Sequence, residues 1–173
     1  MTLKSTLLGM VCLGIALALG VVATAGEVTS PWWELDGAWT SEDPRALDGV
    51  GTLIVMTRTG PDSYSIVWKA ARSPLFPGES KRSDYTGNVR RTGARTWEYA
   101  AMSYIQGSAG SVIGIAMIHG QFEMQEDGLL YHLSWGTGFA LGQNPFTDPP
   151  AYGCFGPLGA RLQRIPIVAP CQP

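Results

Sequence analysis

Charge is scarce in this 173-residue chain: only 15% of residues are Asp, Glu, Lys or Arg, and the formal net charge is −2. Soluble domains typically carry about a quarter charged residues. A basic face of the kind that holds nucleic acid is therefore excluded. Histidine occurs twice and cysteine three times, too few and too scattered for a metal-ligand pattern. Walker, zincin, EF-hand and Gly-x-Ser-x-Gly signatures are missing, and Asn144-Pro145 is not a glycosylation acceptor. No cofactor is implied. No stretch beyond residue 25 sustains a 3.6-residue apolar period, and Gly (22) and Pro (12) punctuate the chain throughout, which excludes coiled coils. Yet 45% of residues are hydrophobic, too many for a disordered chain.

Part of that apolar content is an address. Lys4 is followed by a nearly unbroken apolar run, Leu7 to Val22, and then by Ala23-Thr24-Ala25. This is the layout of a secretory signal peptide. The run is shorter than the roughly 20 residues that a spanning helix needs. Cys12 lies within it, and Met10 and Val11 before that Cys argue against lipidation. The expectation is a leader over 1–25, a single domain over 26–173, and a secreted, periplasmic or otherwise extracytoplasmic location, with no membrane span after cleavage. Two cysteines then remain, Cys154 and Cys171, and an even pair in an oxidising compartment suggests a disulfide. That bond would tie the Pro-rich tail, Ile165 to Pro173, to the body.

The period along the rest of the chain is two, not 3.6. Strands are predicted over Trp33–Ser41, up to Arg58, over Ser63–Ala71, Tyr85–Arg91, Thr96–Ile105, Ser111–Gln125, Leu129–Leu141 and Ala160–Ile167. Turn residues separate them, and Ser73–Ser80 and Gln143–Pro157 read as loops. About eight short strands with short connections make an antiparallel meander, closed into a barrel or folded as a β-sandwich. Asp127-Gly128 signals a hairpin with a two-residue loop. That register puts Gly120, Phe122, Met124, Tyr131, Leu133 and Trp135 on an apolar inner face. His119, Gln121, Glu123, His132 and Ser134 fall on a polar outer face, with His132 beside Glu123. Ile113, Ile115 and Met117 break this split, through a bulge near Gly114 or because that end is covered on both faces.

An eight-stranded barrel is either filled by its side chains or just wide enough for one small ligand. Large aromatic residues interleaved with Gly and Ala fit both. Aromatic residues of the inner face and of the Gln143–Pro157 loop are the candidate ligand contacts: Trp135, Tyr131, Phe122, Phe146, Tyr152 and Phe155. No catalytic residue is assigned; a cofactor-free enzyme using Tyr131 or Glu123 at the barrel mouth would need a buried carboxylate. Arg90, Arg91 and Arg95, with Lys81 and Arg82, form the basic cluster, read as an anion contact or a charged strand end. Trp32-Trp33 is read as a lid or a surface anchor.

Leu35-Asp36-Gly37-Ala38-Trp39-Thr40 opens the first strand, and its Gly-x-Trp resembles the first motif of the lipocalins and the wider calycin group. That resemblance implies a secreted barrel in which Trp39 closes the base, a late Arg packs across it, and a small hydrophobic ligand is bound. Arg164 is the match preferred over Arg161. Ser83-Asp84-Tyr85 resembles the family's middle motif chemically but falls too early, and the helix expected before the last strand is missing. A family of small exported bacterial β-proteins would look just as similar. The readings that follow are a barrel binding a small apolar ligand or an extracytoplasmic partner surface, or a filled structural or interaction domain.

Overall fold

The computed structural model describes residues 34–43, 52–69 and 75–166. The leader, Trp32-Trp33, Cys171 and most of the tail lie outside them. Nine strands are present among the described residues: β1 Gly37–Ser41, β2 Leu53–Gly60, β3 Ser63–Trp68, β4 Glu79–Arg82, β5 Tyr85–Arg91, β6 Thr96–Gly107, β7 Val112–Met124, β8 Leu130–Ala140 and β9 Cys154–Arg164. Every pairing is antiparallel. The order β1-β2-β3-β5-β6-β7-β8-β9 returns to β1, so eight strands close a ring, and β4 pairs with β6 at the rim. Closure leaves the ring no unpaired edge.

The meander and its closure match expectation, with two differences. β4 begins inside the expected Ser73–Ser80 loop and runs on to Arg82: its four residues Glu-Ser-Lys-Arg carry no apolar alternation, and only the overhanging end of β6 gives them a partner. β9 begins at Cys154, inside the stretch read as the Gln143–Pro157 loop, because Gly and Pro there sit in a bulge rather than ending the strand. Ser134 pairs with Leu158 but Gly136 with Phe155, so Trp135 alone faces Gly156 and Pro157.

The most consequential correction concerns β8. The hairpin loop has three residues, Glu126-Asp127-Gly128, not two. Gln125 N donates to Leu129 O (2.8 Å) and Gly128 N to Gln125 O (3.2 Å), with Gly128 at φ 84°. This is a turn followed by a left-handed residue, the usual three-residue hairpin. Phe122 therefore pairs with His132, not Leu133, and Gly120 with Ser134, not Trp135. The strand period is two, so one residue of slip exchanges the faces completely. Leu130, His132 and Ser134 are buried, while Tyr131 and Trp135 face outward and Glu123 is exposed. The His132–Glu123 pair does not form, and the buried carboxylate required of a Glu123 enzyme is absent.

Connections at Pro61-Asp62, 92–95 and 125–129 lie at one end, the base; those at 108–111 and 141–153, and the segment around β4, lie at the other, the mouth. At the base the Arg164 guanidinium lies 4.8 Å from the centre of the Trp39 ring, and Trp39 Nε1 donates to Leu35 O (2.9 Å). That is the Trp–Arg contact that the Gly-x-Trp resemblance implies. Glu34 gathers Arg58, the Tyr64 hydroxyl and Arg91, and Arg91 also lies 5.2 Å from the Trp97 ring. Arg91 of the basic cluster is thereby neutralised at the base, and Arg90 pairs with Glu98 (3.7 Å).

Nothing lies within 4 Å of a Cβ added to Gly128, so an alanine there meets only the backbone penalty. Gly128→Ala is expected to lower unfolding free energy by about 1–2 kcal/mol. Gly128→Asn should recover part of the loss. Urea midpoints at unchanged m-value check both.

Candidate functional site

Three large aromatic residues start the interior column at the base: Trp39, Tyr64 and Trp97, all essentially inaccessible. Above them lie Phe122, Tyr99 and His132, then Trp68 and Tyr85. The Tyr99 ring stacks on Phe122 (4.8 Å between centroids), and His132 packs against both Phe122 (5.1 Å) and the edge of Trp68 (5.0 Å). Tyr99 stands on β6 and His132 on β8, with β7 between them. Gly120 of β7 makes the crossing possible: a Cβ there would come within 2.8 Å of the Tyr99 ring. The Tyr99 hydroxyl thus reaches His132 Nε2 at 2.7 Å.

His132 is fully buried, and its Nδ1 has no hydrogen-bond partner. Whichever nitrogen carries the proton, one polar atom of the ring is left unpaired, and such atoms cost about 1–3 kcal/mol. Burial holds the imidazole neutral, with its pKa lowered to about 3. Burial likewise pushes the Tyr99 phenol well above its ordinary value. The pair is therefore uncharged across the neutral range.

Toward the mouth the barrel wall changes character. Gly87, Ala101, Ser103, Gly114, Ala116, Ser134, Gly136 and Gly138 turn inward, all small. The space they leave is filled by rings from the segment before β4, the β8–β9 connection and the β9 bulge. A Cβ on Gly138 would meet the Phe76 ring at 2.8 Å and Tyr152 at 2.9 Å; one on Gly114 would meet Tyr152 at 2.9 Å; one on Gly136 would meet Phe155 at 2.1 Å. Phe76 precedes β4, Tyr152 ends the β8–β9 connection, and the β9 bulge turns Phe155 inward. The Phe76 ring contacts the other two, lying 6.2 Å from Tyr152 and 5.8 Å from Phe155. Together they form an aromatic plug.

A buried ion pair latches the plug. Arg82 Nη2 donates to Glu79 Oε2 (2.6 Å) with both side chains almost wholly shielded. The same carboxylate oxygen accepts from Leu75 N (2.8 Å) and Phe76 N (3.1 Å), fixing the turn that carries Phe76. Arg82 lies between the rings of Phe76 and Tyr85, 5.3 and 5.6 Å from their centres, and donates to the Tyr85 hydroxyl (2.7 Å).

Of the six aromatic candidates named from the sequence, the fold brings Tyr152 and Phe155 together at the mouth and buries Phe122 in the column. Phe146 is exposed on the β8–β9 connection, and Tyr131 and Trp135 stand on the outer surface. His132, Tyr99 and the Phe76–Glu79–Arg82 latch were missed. His132 and Tyr99 follow from the correct hairpin loop length. The latch had no signal, since its residues sit in a segment without periodicity. Cys154 is exposed with a free thiol, and Cys171 lies outside the described residues. No group of three or more His, Cys, Asp or Glu among the described residues is placed to hold a metal ion, and no described helix is long and apolar enough to cross a membrane.

The buried neutral His132 gives a pH signature. The unfolded chain takes up a proton near pH 6.5, the folded one only near pH 3, so protonation favours unfolding as pH falls between these values. The stability present above pH 6.5 should decline by about 1.4 kcal/mol per pH unit below it, from this group alone. Urea unfolding at pH 7 and pH 5 should show a loss about 2 kcal/mol larger for the wild type than for His132→Leu.

No protein-family model and no curated protein matches the chain. Among solved structures it is similar to a biotin-binding protein from chicken, known from its X-ray structure, at 10% identity and a TM-score of 0.47, covering 77% of this chain and 97% of that one. At that identity and score the likeness transfers neither site nor ligand.

Proposed function

We propose that this protein is a small-molecule binder whose ligand enters the mouth of the barrel, takes the place of the aromatic plug, and meets His132 with a polar group. The single observation behind the reading is the composition of the mouth half. Eight small residues line it, and two of the three rings that fill it, Phe76 and Tyr152, come from segments outside the wall, above a buried imidazole nitrogen without a partner. A core built only for stability would be filled from its own strands and would not retain that nitrogen. The ligand class is a small flat apolar molecule with one hydrogen-bonding group, since it replaces flat rings and satisfies one atom. A second reading has its own observation: the rings already touch the glycine backbone, as in a filled structural or interaction barrel with no ligand.

Part of the proposal concerns place. The apolar leader over 1–25 supports export, and with it an extracytoplasmic setting for the barrel. N-terminal sequencing of the protein recovered outside the cytoplasm should begin near Gly26; a start at Met1 would overturn this part.

Binding is tested with tryptophan fluorescence, because Trp68 packs directly on His132. Titration with a panel of flat aromatic acids, amides and alcohols should give saturable quenching. Phe76→Ala removes the competing ring and should tighten binding about tenfold, on the rule that a site open only part of the time binds in proportion to that fraction. His132→Leu should weaken polar-headed ligands about tenfold and leave purely apolar probes unchanged. No saturable response from either the wild type or Phe76→Ala would leave the filled barrel as the answer.

A further inference from the structure

One short segment of the chain places both an aromatic ring and a carboxylate in the mouth of the barrel. Glu79 accepts from Leu75 N and Phe76 N, so its carboxylate and the Phe76 ring form one bonded unit, with the left-handed Gly78 (φ 76°) turning the chain between them. The ring lies over Gly138 and the carboxylate lies on Arg82. Arg82 belongs to the opposite side of this contact. Its backbone pairs with Ile105 of β6, and its Nη1 donates to the hydroxyl of Tyr85 on β5, a strand of the closed ring. The pairing of β4 with β6 shifts register between Glu79 and Lys81. The strand end that carries Glu79 is therefore not held in step with the end that carries Arg82.

Arg82 is the one buried cation among the described residues, with its side chain 1% exposed. Its Nε is buried and has no partner. A guanidinium can hold a carboxylate by two parallel bonds, one of them through Nε. Glu79 does not offer that geometry. Its bonds to Arg82 Nη2, Leu75 N and Phe76 N all end on a single oxygen, Oε2. The oxygen that serves the turn is the one that serves the guanidinium, so the resident carboxylate leaves one strong donor of a buried charge unused. A carboxylate not tied to the turn is free of that constraint and can meet Nε and Nη2 together.

We propose that the ligand of the mouth is an aromatic carboxylate, whose acid group replaces that of Glu79 on Arg82 as its ring replaces that of Phe76. The inference rests on the ligand site proposed above and adds a negative group at its outer end to the polar group at His132. Glu79 and Phe76 then act as a tethered stand-in for the ligand. Glu79 leaves with the turn to which two of its bonds run, whereas Arg82 stays with the wall through Tyr85 and β6. A neutral molecule that displaced this unit would leave the guanidinium buried without a counter-charge, which disfavours it strongly. An anion restores the pairing and fills the unused Nε. Trp68, packed on both His132 (5.0 Å) and Tyr85 (5.6 Å), lines the path between the two polar ends.

Calorimetric titration near neutral pH with para-coumarate and with its amide tests this, since the two differ in charge but hardly in shape. The wild type should bind the acid about tenfold more tightly than the amide. Glu79→Gln removes the resident charge, so the acid should gain about a further tenfold while the amide does not. Thermal melts of this variant should rise with the acid and not with the amide. Glu79→Gln combined with Arg82→Gln buries no charge, and this double variant should bind acid and amide alike. Saturable binding with equal affinity for both compounds in the wild type and in Glu79→Gln would overturn the anion and leave the ligand site standing. A preference for the acid that survives in the double variant would overturn the role of Arg82. No binding of either compound to the wild type, Glu79→Gln or Phe76→Ala would remove the site and this inference with it.

Discussion

The phase of β8 is the constraint on which the rest of the molecule depends. Gly128 adopts a left-handed conformation that closes the hairpin with three residues, and this one backbone choice decides which half of β8 faces the core. With it, His132 and Ser134 enter the barrel and Trp135 leaves it. The Tyr99–His132 bond and the contacts of His132 with Phe122 and Trp68 follow from that phase. A two-residue loop would have put Leu133 where the imidazole now sits, Trp135 where Ser134 sits, and a polar row on the outside.

Glycines distribute the space that this phase creates. Gly120 lets the Tyr99 ring cross β7, and Gly114, Gly136 and Gly138 hold the flat faces of Tyr152, Phe155 and Phe76. Large residues at the base and small ones at the mouth give a taper. The base is sealed by Trp39 under Arg164 and by the carboxylate of Glu34 gathering Arg58, Arg91 and Tyr64. The mouth is sealed differently, by Phe76 and Tyr152 on connecting segments, by Phe155 of the β9 bulge and by one buried ion pair, Glu79–Arg82. Losing one partner of such a pair costs about 3–5 kcal/mol, because the other charge is left buried alone. This pair holds Phe76, whereas Tyr152 is held by its hydroxyl donating to Ile113 O (3.1 Å) and its N donating to Gly138 O (3.0 Å).

The proposed ligand site and an outer recess beside Trp135 lie on opposite sides of one wall. Phe155 lines the plug from within, and its strand, beside Trp135, borders the outer recess. The β9 bulge serves both: it turns Phe155 inward and leaves Gly156 against Trp135, with no side chain between the recess and the indole.

Much of this was legible in the chain itself. Alternation from Ser63 to Trp68 and from Thr96 to Ile105 defines strands because a period of two places every second side chain on one face. Short Gly- and Pro-rich turns make neighbours antiparallel; the contact of Trp39 with Arg164 at the base is one that a resemblance implied and that residue pattern alone did not supply. What sequence alone left open were the quantities set by partners in space. Asp127-Gly128 fits both a two- and a three-residue loop, and the pairing of β7 with β8 selects the second. The Glu79–Arg82 strand exists because β6 overhangs the ring, and the plug because three glycines lie opposite three rings that are distant in the chain. Local propensity settled the strands and the ring they make; register, a property of two strands at once, settled which residues meet inside it.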